Sequence, residues 1–156
     1  MRKKLLPLTS LKKVLSKVRS QKLKVVFTNG TFDILHLGHV TYLQKAKASG
    51  DILVVGVNTD RSVKSYKTPD RPVNPEQDRL AVLGALECVD YAILFDDPTP
   101  LKLINALKPD VLVKGADWKK SQIAGAKEVE SWGGKVVLVK LVPGRSTTNI
   151  IEKMRK

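Results

Sequence analysis

The chain contains two histidines, and both lie in one short stretch, His36-Leu37-Gly38-His39. An apolar run just before them ends in Asn29-Gly30-Thr31, and a helical pattern begins near Leu37. The first N–H groups of a helix lack backbone acceptors and lie at the positive end of the helix dipole, so they favour an anion. Imidazoles at that position can donate N–H hydrogen bonds to a polyphosphate and stabilise developing charge. The stretch therefore predicts a phosphate site.

Several other chemistries lack the residues they need. The sequence has neither a Walker A lysine motif nor a GxGxxG pattern, which argues against P-loop hydrolysis and dinucleotide redox chemistry. The single cysteine, Cys88, excludes an internal disulfide framework and a cysteine-based zinc site. No third nitrogen or sulfur ligand lies near His36 and His39 in the sequence, so we assign no metal to them.

The net charge of +13 at pH 7 raises the question of a nucleic-acid partner, and its distribution decides the matter. Nine basic residues precede the first acidic residue, Asp33, and the spacing of Leu11, Val14, Leu15 and Val18 predicts an amphipathic helix among them. We expect residues 1–23 to form a basic helix or flank packed on the domain with its lysines in solvent. The alternative is a flank that attracts phosphorylated substrates. Aromatic residues make up 5%, without basic–aromatic interleaving, so nucleic acid is not the predicted partner.

Elements that would position the histidines alternate along the rest of the chain. At 156 residues we expect one domain, with residues 24–156 forming an α/β, Rossmann-like three-layer fold around a mainly parallel five-stranded sheet. The predicted strands are 25–27, 52–57, 91–95, 111–113 and 136–142. The predicted helices are 38–49, 79–86, 99–107, 121–132 and a last helix capped by Ser146. No apolar run reaches the length of a membrane span, so we expect a cytoplasmic protein without a membrane partner.

Ligands of such sheets bind at the carboxyl ends of the strands, at the topological switch point. That rule collects four segments on one edge of the sheet: Asn29–His39, Asn58–Asn74, Lys114–Trp118 and Gly144–Thr148. The second of these is long for a compact domain and rich in lysine, arginine and proline, which is typical of functional loops. We therefore expect the binding site on this edge.

Two motifs carry a resemblance to a known family. Gly30-Thr31-Phe32-Asp33 followed by His36-Leu37-Gly38-His39 resembles the HxGH motif of the cytidylyltransferase-like nucleotidyltransferases, and the resemblance extends from about Lys24 to Ile151. Its second motif is Arg145–Ile151, similar to the Ser/Thr-rich helix start of that superfamily. Three further segments look most like the bacterial heptose 1-phosphate adenylyltransferases, the ADP-heptose synthases of lipopolysaccharide core assembly: Arg71–Pro75, Leu112–Trp118 and Ile123–Val129.

The resemblance implies a reaction and its partners. An oxygen of a sugar 1-phosphate, here D-glycero-D-manno-heptose 1-phosphate, would attack the α-phosphorus of ATP, and pyrophosphate would leave. Mg²⁺ is the expected cofactor because it bridges polyphosphate oxygens with few protein ligands. Many relatives fuse this activity to a sugar kinase, so a chain of this length implies a stand-alone form that works with a separate heptose kinase. The family also suggests a homodimer.

The resemblance also assigns roles to residues. The catalytic candidates are His36, His39 and a lysine of the long loop, Lys64 first and Lys67 second. The nucleotide- and phosphate-binding candidates are Asn29, Gly30, Thr31, Phe32, Asp33, Lys114, Gly115, Asp117, Ser146, Thr147 and Thr148. The substrate-binding candidates are Asn58, Asp60, Arg71 and Arg79. Two roles stay open: Asp33 either builds the turn or takes part in catalysis, and Arg79 is either a phosphate ligand or an exposed helix residue.

The choice of base rests on a departure from a related family. Glycerol-phosphate cytidylyltransferases have Gly-Asp-Asp-Trp where this chain has Gly115-Ala116-Asp117-Trp118. A pocket that hydrogen-bonds one base rejects others strongly, so the loss of this polar group favours adenine. The alternative is a cytidylyltransferase acting on glycerol 3-phosphate or a similar small phosphate. An alternative of another class is a non-catalytic nucleotide- or nucleic-acid-binding module.

Overall fold

The computed structural model describes residues 4–156; residues 1–3, the start of the predicted basic flank, lie outside the described part. Five parallel strands form one sheet in the order β3-β2-β1-β4-β5, which confirms the predicted architecture. The strands are β1 Val25–Gly30, β2 Ile52–Asn58, β3 Tyr91–Phe95, β4 Val111–Gly115 and β5 Lys135–Val139. The order reverses between β1 and β4, so the switch point lies beside the histidine stretch.

Within residues 4–156, seven α-helices and one short 3₁₀ turn connect and flank these strands. The helices are α1 Leu8–Ser20, α2 Leu37–Lys47, α3 Asp60–Lys64, α4 Glu76–Ala85, α5 Leu101–Leu107, α6 Ala126–Ser131 and α7 Thr147–Met154. The longest of them has 13 residues, and among the described helices none has the length and apolar character needed to cross a bilayer.

The central strands are buried on both sides. All seven residues of β2 are buried, as are Val25–Thr28 of β1, and this explains why these runs are almost continuously apolar rather than alternating. One apolar cluster, built around Phe27 and Val54, covers one side of the sheet. A second cluster, built around Val26 and Val55, covers the other. The sheet therefore lies between two helical layers.

The basic N-terminal helix is part of the first apolar cluster. Its Leu11, Leu15 and Val18 are buried there, as their spacing predicts. One of its cations is structural, because the Arg19 guanidinium donates to carbonyl oxygens at the end of α5, including that of Lys108 at 2.9 Å. The lysines of α1, by contrast, are exposed: Lys12, Lys13 and Lys17.

Two local predictions were wrong. The single helix predicted over 121–132 is a 3₁₀ turn, Lys120–Gln122, followed by α6. Gly125 separates them with φ of +87°, and a Cβ there would lie 2.6 Å from Cδ1 of Ile104, so neither a helical backbone nor a larger residue is accommodated. The long loop contains α3, whose cap is Thr59: its hydroxyl accepts a hydrogen bond from the Ser62 N–H at 3.2 Å.

Candidate functional site

A cleft of about 350 Å³ lies at the switch point, where β1 and β4 end. All four segments predicted to meet at this edge are near it, and three of them supply most of its lining. The predicted site residues that line it are Asn29, Gly30, Thr31, Phe32, Asp33, His36, His39, Arg71, Lys114, Gly115, Asp117, Ser146, Thr147 and Thr148, together with Lys67. The sequence-based location of the site is therefore consistent with the structure.

The two histidines are stacked against each other at the start of α2. Their ring centroids lie 3.8 Å apart with an interplanar angle of 22°. Gly38 permits this arrangement, because a Cβ at that position would lie 2.9 Å from the His36 ring and 3.1 Å from the carbonyl oxygen of Arg145. The glycine of the motif thus brings the start of α2 close to the segment that precedes α7.

Burial lowers the pKa of both imidazoles. Desolvation, with the neighbouring charge of His36 as the second cause, lowers the pKa of His39 to about 4. Burial also lowers the pKa of His36. Within the described chain, Nδ1 of each ring is buried without a hydrogen-bond partner. Neutral imidazoles with unsatisfied ring nitrogens are groups that the polar atoms of a ligand can complete.

Asp33 ties the histidine loop to the long loop. It is 4% exposed, and its carboxylate accepts from Nε of Arg71 at 2.8 Å and from the N–H groups of Val73 and Asn74 at 2.9 Å each. Charge-assisted bonds of this kind occupy both carboxylate oxygens. Of the two roles left open for Asp33, the structure favours turn-building.

Arg79 is not exposed, so that part of its sequence-based interpretation was wrong. The residue is 2% exposed, and its guanidinium donates to the carbonyl oxygens of Asn74 at 3.0 Å, Thr31 at 2.6 Å and Asn58 at 2.8 Å. It also pairs with Oδ1 of Asp60 at 2.7 Å. Neither Arg79 nor Asp60 is among the described residues that line the cleft, and both were substrate-binding candidates. The structure assigns them to holding the loops together.

Of the two candidate lysines on the long loop, Lys67 rather than Lys64 lines the cleft. Lys64 ends α3 and is exposed there. The loop approaches β1 through Tyr66, whose hydroxyl lies 2.7 Å from the hydroxyl of Thr31. This contact brings Lys67 to the cleft. The structure therefore favours Lys67 over Lys64 as the lysine that reaches the phosphates, the reverse of the order predicted from the sequence.

Lys114 lies near the end of β4 and is largely desolvated. Its Nζ donates to Oδ1 of Asn29 at 3.1 Å and lies 5.4 Å from the ring centroid of Trp118. Burial lowers its pKa to about 8, and the negative charge of Asp117 acts in the opposite direction. Lys114 takes part in none of the ion pairs among residues 4–156. Its charge therefore lacks a carboxylate partner in this part of the chain.

The N-terminus of α7 forms another wall of the cleft. Ser146 is the predicted cap, and its hydroxyl accepts from the Asn149 N–H at 3.1 Å. Thr147 is 9% exposed and its hydroxyl donates to the carbonyl oxygen of Ile34 at 3.4 Å, which joins this helix to the histidine loop. The helix start therefore presents N–H groups and hydroxyls beside the histidine loop.

A second pocket, of about 610 Å³, adjoins the cleft and shares Asn29, Thr31, Lys67, Lys114 and Trp118 with it. Much of its remaining lining was not predicted from the sequence: Tyr66, Pro98, Thr99, Pro100, Gln122, Ile123 and Ala124. Part of this lining could have been predicted from the sequence, because residues 98–100 follow β3 and therefore lie at the same edge of the sheet.

The cleft is suited to stabilising charge on phosphate groups. Its lysines and helix starts can offset the charge of a polyphosphate, its neutral imidazoles can donate N–H bonds to the phosphate oxygens, and none of these groups needs to act as a covalent nucleophile. Together with the fold, this defines the class as nucleotidyltransferase. A family model described as cytidylyltransferase-like matches residues 27–153, and the chain belongs to that family.

Relatives agree with this assignment. The chain is 60% identical over 136 residues to the bifunctional protein HldE of Methylobacillus flagellatus, and 54% identical over 145 residues to that of Syntrophotalea carbinolica. These matches cover 87% and 93% of the chain but 28% and 30% of the relatives, so the chain spans less than a third of their length.

Solved structures share the fold. A lipopolysaccharide core biosynthesis protein from Thermoplasma volcanium is 33% identical with a TM-score of 0.65, over 77% of this chain and 97% of that one. A second structure is a pantoate–β-alanine ligase from Francisella tularensis, which is 15% identical with a TM-score of 0.60. The match covers 97% of this chain and 79% of the ligase chain. At that identity the second likeness concerns the fold alone.

Proposed function

We propose that this protein transfers AMP from ATP to D-glycero-D-manno-heptose 1-phosphate, releasing pyrophosphate and forming ADP-heptose for the lipopolysaccharide core. One observation of the structure carries the proposal: the stacked pair His36 and His39, whose Nδ1 atoms are buried without hydrogen-bond partners among the described residues, lines a cleft together with the N-terminus of α7. Similarity to the HldE proteins and to the Thermoplasma volcanium protein supports the choice of a sugar phosphate.

The reaction follows from the placement of charge. An oxygen of the acceptor phosphate forms a bond to the α-phosphorus of ATP while the bond from that phosphorus to the leaving pyrophosphate breaks. No proton has to be removed from an ionised acceptor phosphate. Negative charge grows on the leaving group, and His36 and His39 donate N–H bonds that strengthen as it does. The α7 N-terminus, with Ser146 and Thr148, holds the β- and γ-phosphates.

The metal in this proposal is part of the substrate, Mg·ATP. Within residues 4–156 no group of three or more His, Cys, Asp or Glu side chains is arranged to hold a metal ion. Of the carboxylates that line the cleft, Asp33 is already occupied by three donors, and Asp117 is the other. A metal bridging phosphate oxygens needs few protein ligands, so this donor set fits a nucleotide-borne ion.

The deciding experiment is a panel of nucleoside triphosphates against sugar 1-phosphates, with released pyrophosphate as the readout. We expect Mg²⁺-dependent release with ATP and the heptose 1-phosphate, and little with other pairs. Equal or faster turnover with CTP and glycerol 3-phosphate would refute the proposal and identify a cytidylyltransferase.

The proposal includes the protein's setting: a homodimer in the cytoplasm, supplied with heptose 1-phosphate by a separate kinase. Light scattering at working concentration tests the dimer. A coupled assay tests the supply, because addition of a heptose kinase with heptose 7-phosphate, ATP and the intervening phosphatase should give pyrophosphate only in the presence of this protein.

A further inference from the structure

The pocket that adjoins the nucleotide cleft has the chemistry of a sugar site. Its polar lining includes amides and hydroxyls, such as Asn58, Thr99 and Gln122, together with the lysines that it shares with the cleft, Lys67 and Lys114, and the rings of Tyr66 and Trp118 also line it. Among the described residues that line it there is no carboxylate. Amides and hydroxyls both donate and accept, as sugar hydroxyls do, and aromatic faces pack against apolar C–H surfaces.

Lys114 belongs to both the pocket and the cleft. Its ammonium has one hydrogen-bond acceptor, Oδ1 of Asn29 at 3.1 Å, and it forms no ion pair with the described carboxylates. An ammonium removed from water is costly unless an anion or several acceptors complete it. Its other two donor positions have no acceptor among the described residues, and the ring centroid of Trp118 lies 5.4 Å from the ammonium at the point where the two spaces meet.

We propose that the pocket of Asn58, Tyr66, Thr99, Trp118 and Gln122 binds the sugar of the acceptor, and that Lys114 binds the acceptor's phosphate where this pocket opens into the nucleotide cleft. The inference rests on the proposed function in one respect, that the acceptor is a sugar phosphate. The ammonium keeps its proton throughout the transfer. Its role is to hold a phosphate oxygen near the α-phosphorus and to reduce the repulsion between two anionic substrates.

Other cations of the cleft are less suited to this role. Arg71 is held by Asp33 through Nε, and Lys67 is an exposed loop residue. The histidines belong to the other wall, at the start of α2. Lys114 is the strand residue that reaches both spaces, so its position is set by the sheet rather than by a loop.

The first test compares Lys114→Met with Lys119→Met, an exposed lysine on the same connection. In steady-state assays we expect the KM for the sugar phosphate to rise at least about tenfold in Lys114→Met, since a charged hydrogen bond to phosphate is lost, while the KM for ATP changes by less than about twofold. Lys119→Met should match the wild type. A rise in the KM for ATP with an unchanged KM for the acceptor would overturn the proposal.

The second test is a pH profile of kcat/KM for the acceptor. Because Lys114 loses its proton at lower pH than an ordinary lysine, the wild-type value should fall above about pH 8, whereas Lys114→Arg should retain a flat profile. The titratable and charged groups that line the cleft with Lys114 are Asp117 beside it on the same connection, Lys67 and Arg71 on the long loop, Asp33, Arg145, and the neutral imidazoles of His36 and His39 at the start of α2. Tyr42 on α2 stays neutral because burial raises its pKa to about 12. A profile unaltered in Lys114→Arg would contradict the assignment.

A binding measurement separates this inference from the reaction itself. D-mannose 1-phosphate is titrated calorimetrically into protein saturated with a non-hydrolysable ATP analogue. We expect binding to wild type and Lys119→Met, and none to Lys114→Met, which must still bind the analogue with wild-type affinity as proof of folding. If the panel of nucleoside triphosphates and sugar 1-phosphates identifies another nucleotide or acceptor, the proposed function fails. The role of Lys114 is then tested by comparing the same three proteins with that acceptor. Equal binding to all three proteins would overturn the role of Lys114.

Discussion

Two cations lie near the same edge of the sheet, and their surroundings differ. Arg79, which is buried, has three carbonyl acceptors and the carboxylate of Asp60, whereas Lys114, which is half-buried, has a single amide oxygen. A cation with nearly all of its donors occupied, as Arg79 has four of its five, maintains the structure. One that keeps free donors at the wall of a cavity can bind an anion as well. The difference separates the residue that builds the cleft from the residue that we expect to use it.

The acceptors of Arg79 explain its structural role. Thr31 follows β1, Asn58 ends β2 and Asn74 precedes α4, so one guanidinium joins three segments whose positions define the cleft. Asp33 makes a similar connection to residues 71–74 from the other side. Together they fix the loop that carries Lys67 relative to the histidine stretch.

The largest effect on stability is expected from Arg79→Met. The change leaves three carbonyl oxygens and Asp60 without their donor in a buried position, and breaking such a network costs about 3–5 kcal/mol. The measurement is urea unfolding followed by circular dichroism, with the free energy of unfolding extrapolated to water. The matched control is Arg155→Met, because Arg155 pairs with Asp70 on the surface, where solvent screens the two charges, and its loss should change the free energy of unfolding little. A similar small loss in both variants would remove the distinction between the two cations.

Catalysis should depend on His39 without a comparable cost in stability. We expect His39→Asn to lower kcat by about 10²–10³-fold, the usual cost of removing one donor that stabilises developing charge, with a smaller change in KM. Its buried Nδ1 has no hydrogen-bond partner among the described residues, so the loss of this nitrogen removes no hydrogen bond from the fold. Stopped-flow measurement of pyrophosphate release, paired with urea unfolding of the same variant, checks both statements. Near-normal turnover would argue that the histidines only shape the loop.

A smaller effect is expected from the loop lysines, which are exposed and so represent a third kind of cation. Lys67→Ala should raise the KM for ATP by about tenfold, the value of one charge-assisted phosphate contact. Lys64→Ala is the matched control and should leave KM and kcat within about twofold of the wild type, because Lys64 is exposed and is not among the described residues that line the cleft. Fluorescence titration with an ATP analogue tests the pair. The reverse ranking would restore the preference drawn from the sequence.

The sequence could predict what depends on local pattern and on the rules of parallel sheets. The buried strands, the edge at which ligands bind and the Ser146 cap follow from apolar runs, alternation and turn chemistry. The roles of Asp33 and Arg79 could not be predicted in this way, because their partners lie up to 48 residues away. The loss of water around Lys114 is also a tertiary effect, since an isolated strand would leave its ammonium solvated.

The smallest expected effect is the contribution of Lys114 to the pH dependence of stability. Its pKa falls from 10.5 in the unfolded chain to about 8 in the folded one, so between these values the unfolded state holds more protons and raising the pH favours folding. Below about pH 8 both states are protonated and the folded state bears the full cost of the desolvated charge. In urea unfolding, the free energy of unfolding of the wild type should therefore rise relative to that of Lys114→Met from pH 8 to 10.5. The difference in free energy of unfolding between the wild type and Arg79→Met should not change over this range, because a guanidinium keeps its proton. Parallel curves for wild type and Lys114→Met would mean that the ammonium is already satisfied, and Lys114 would then belong with Arg79 as a structural cation.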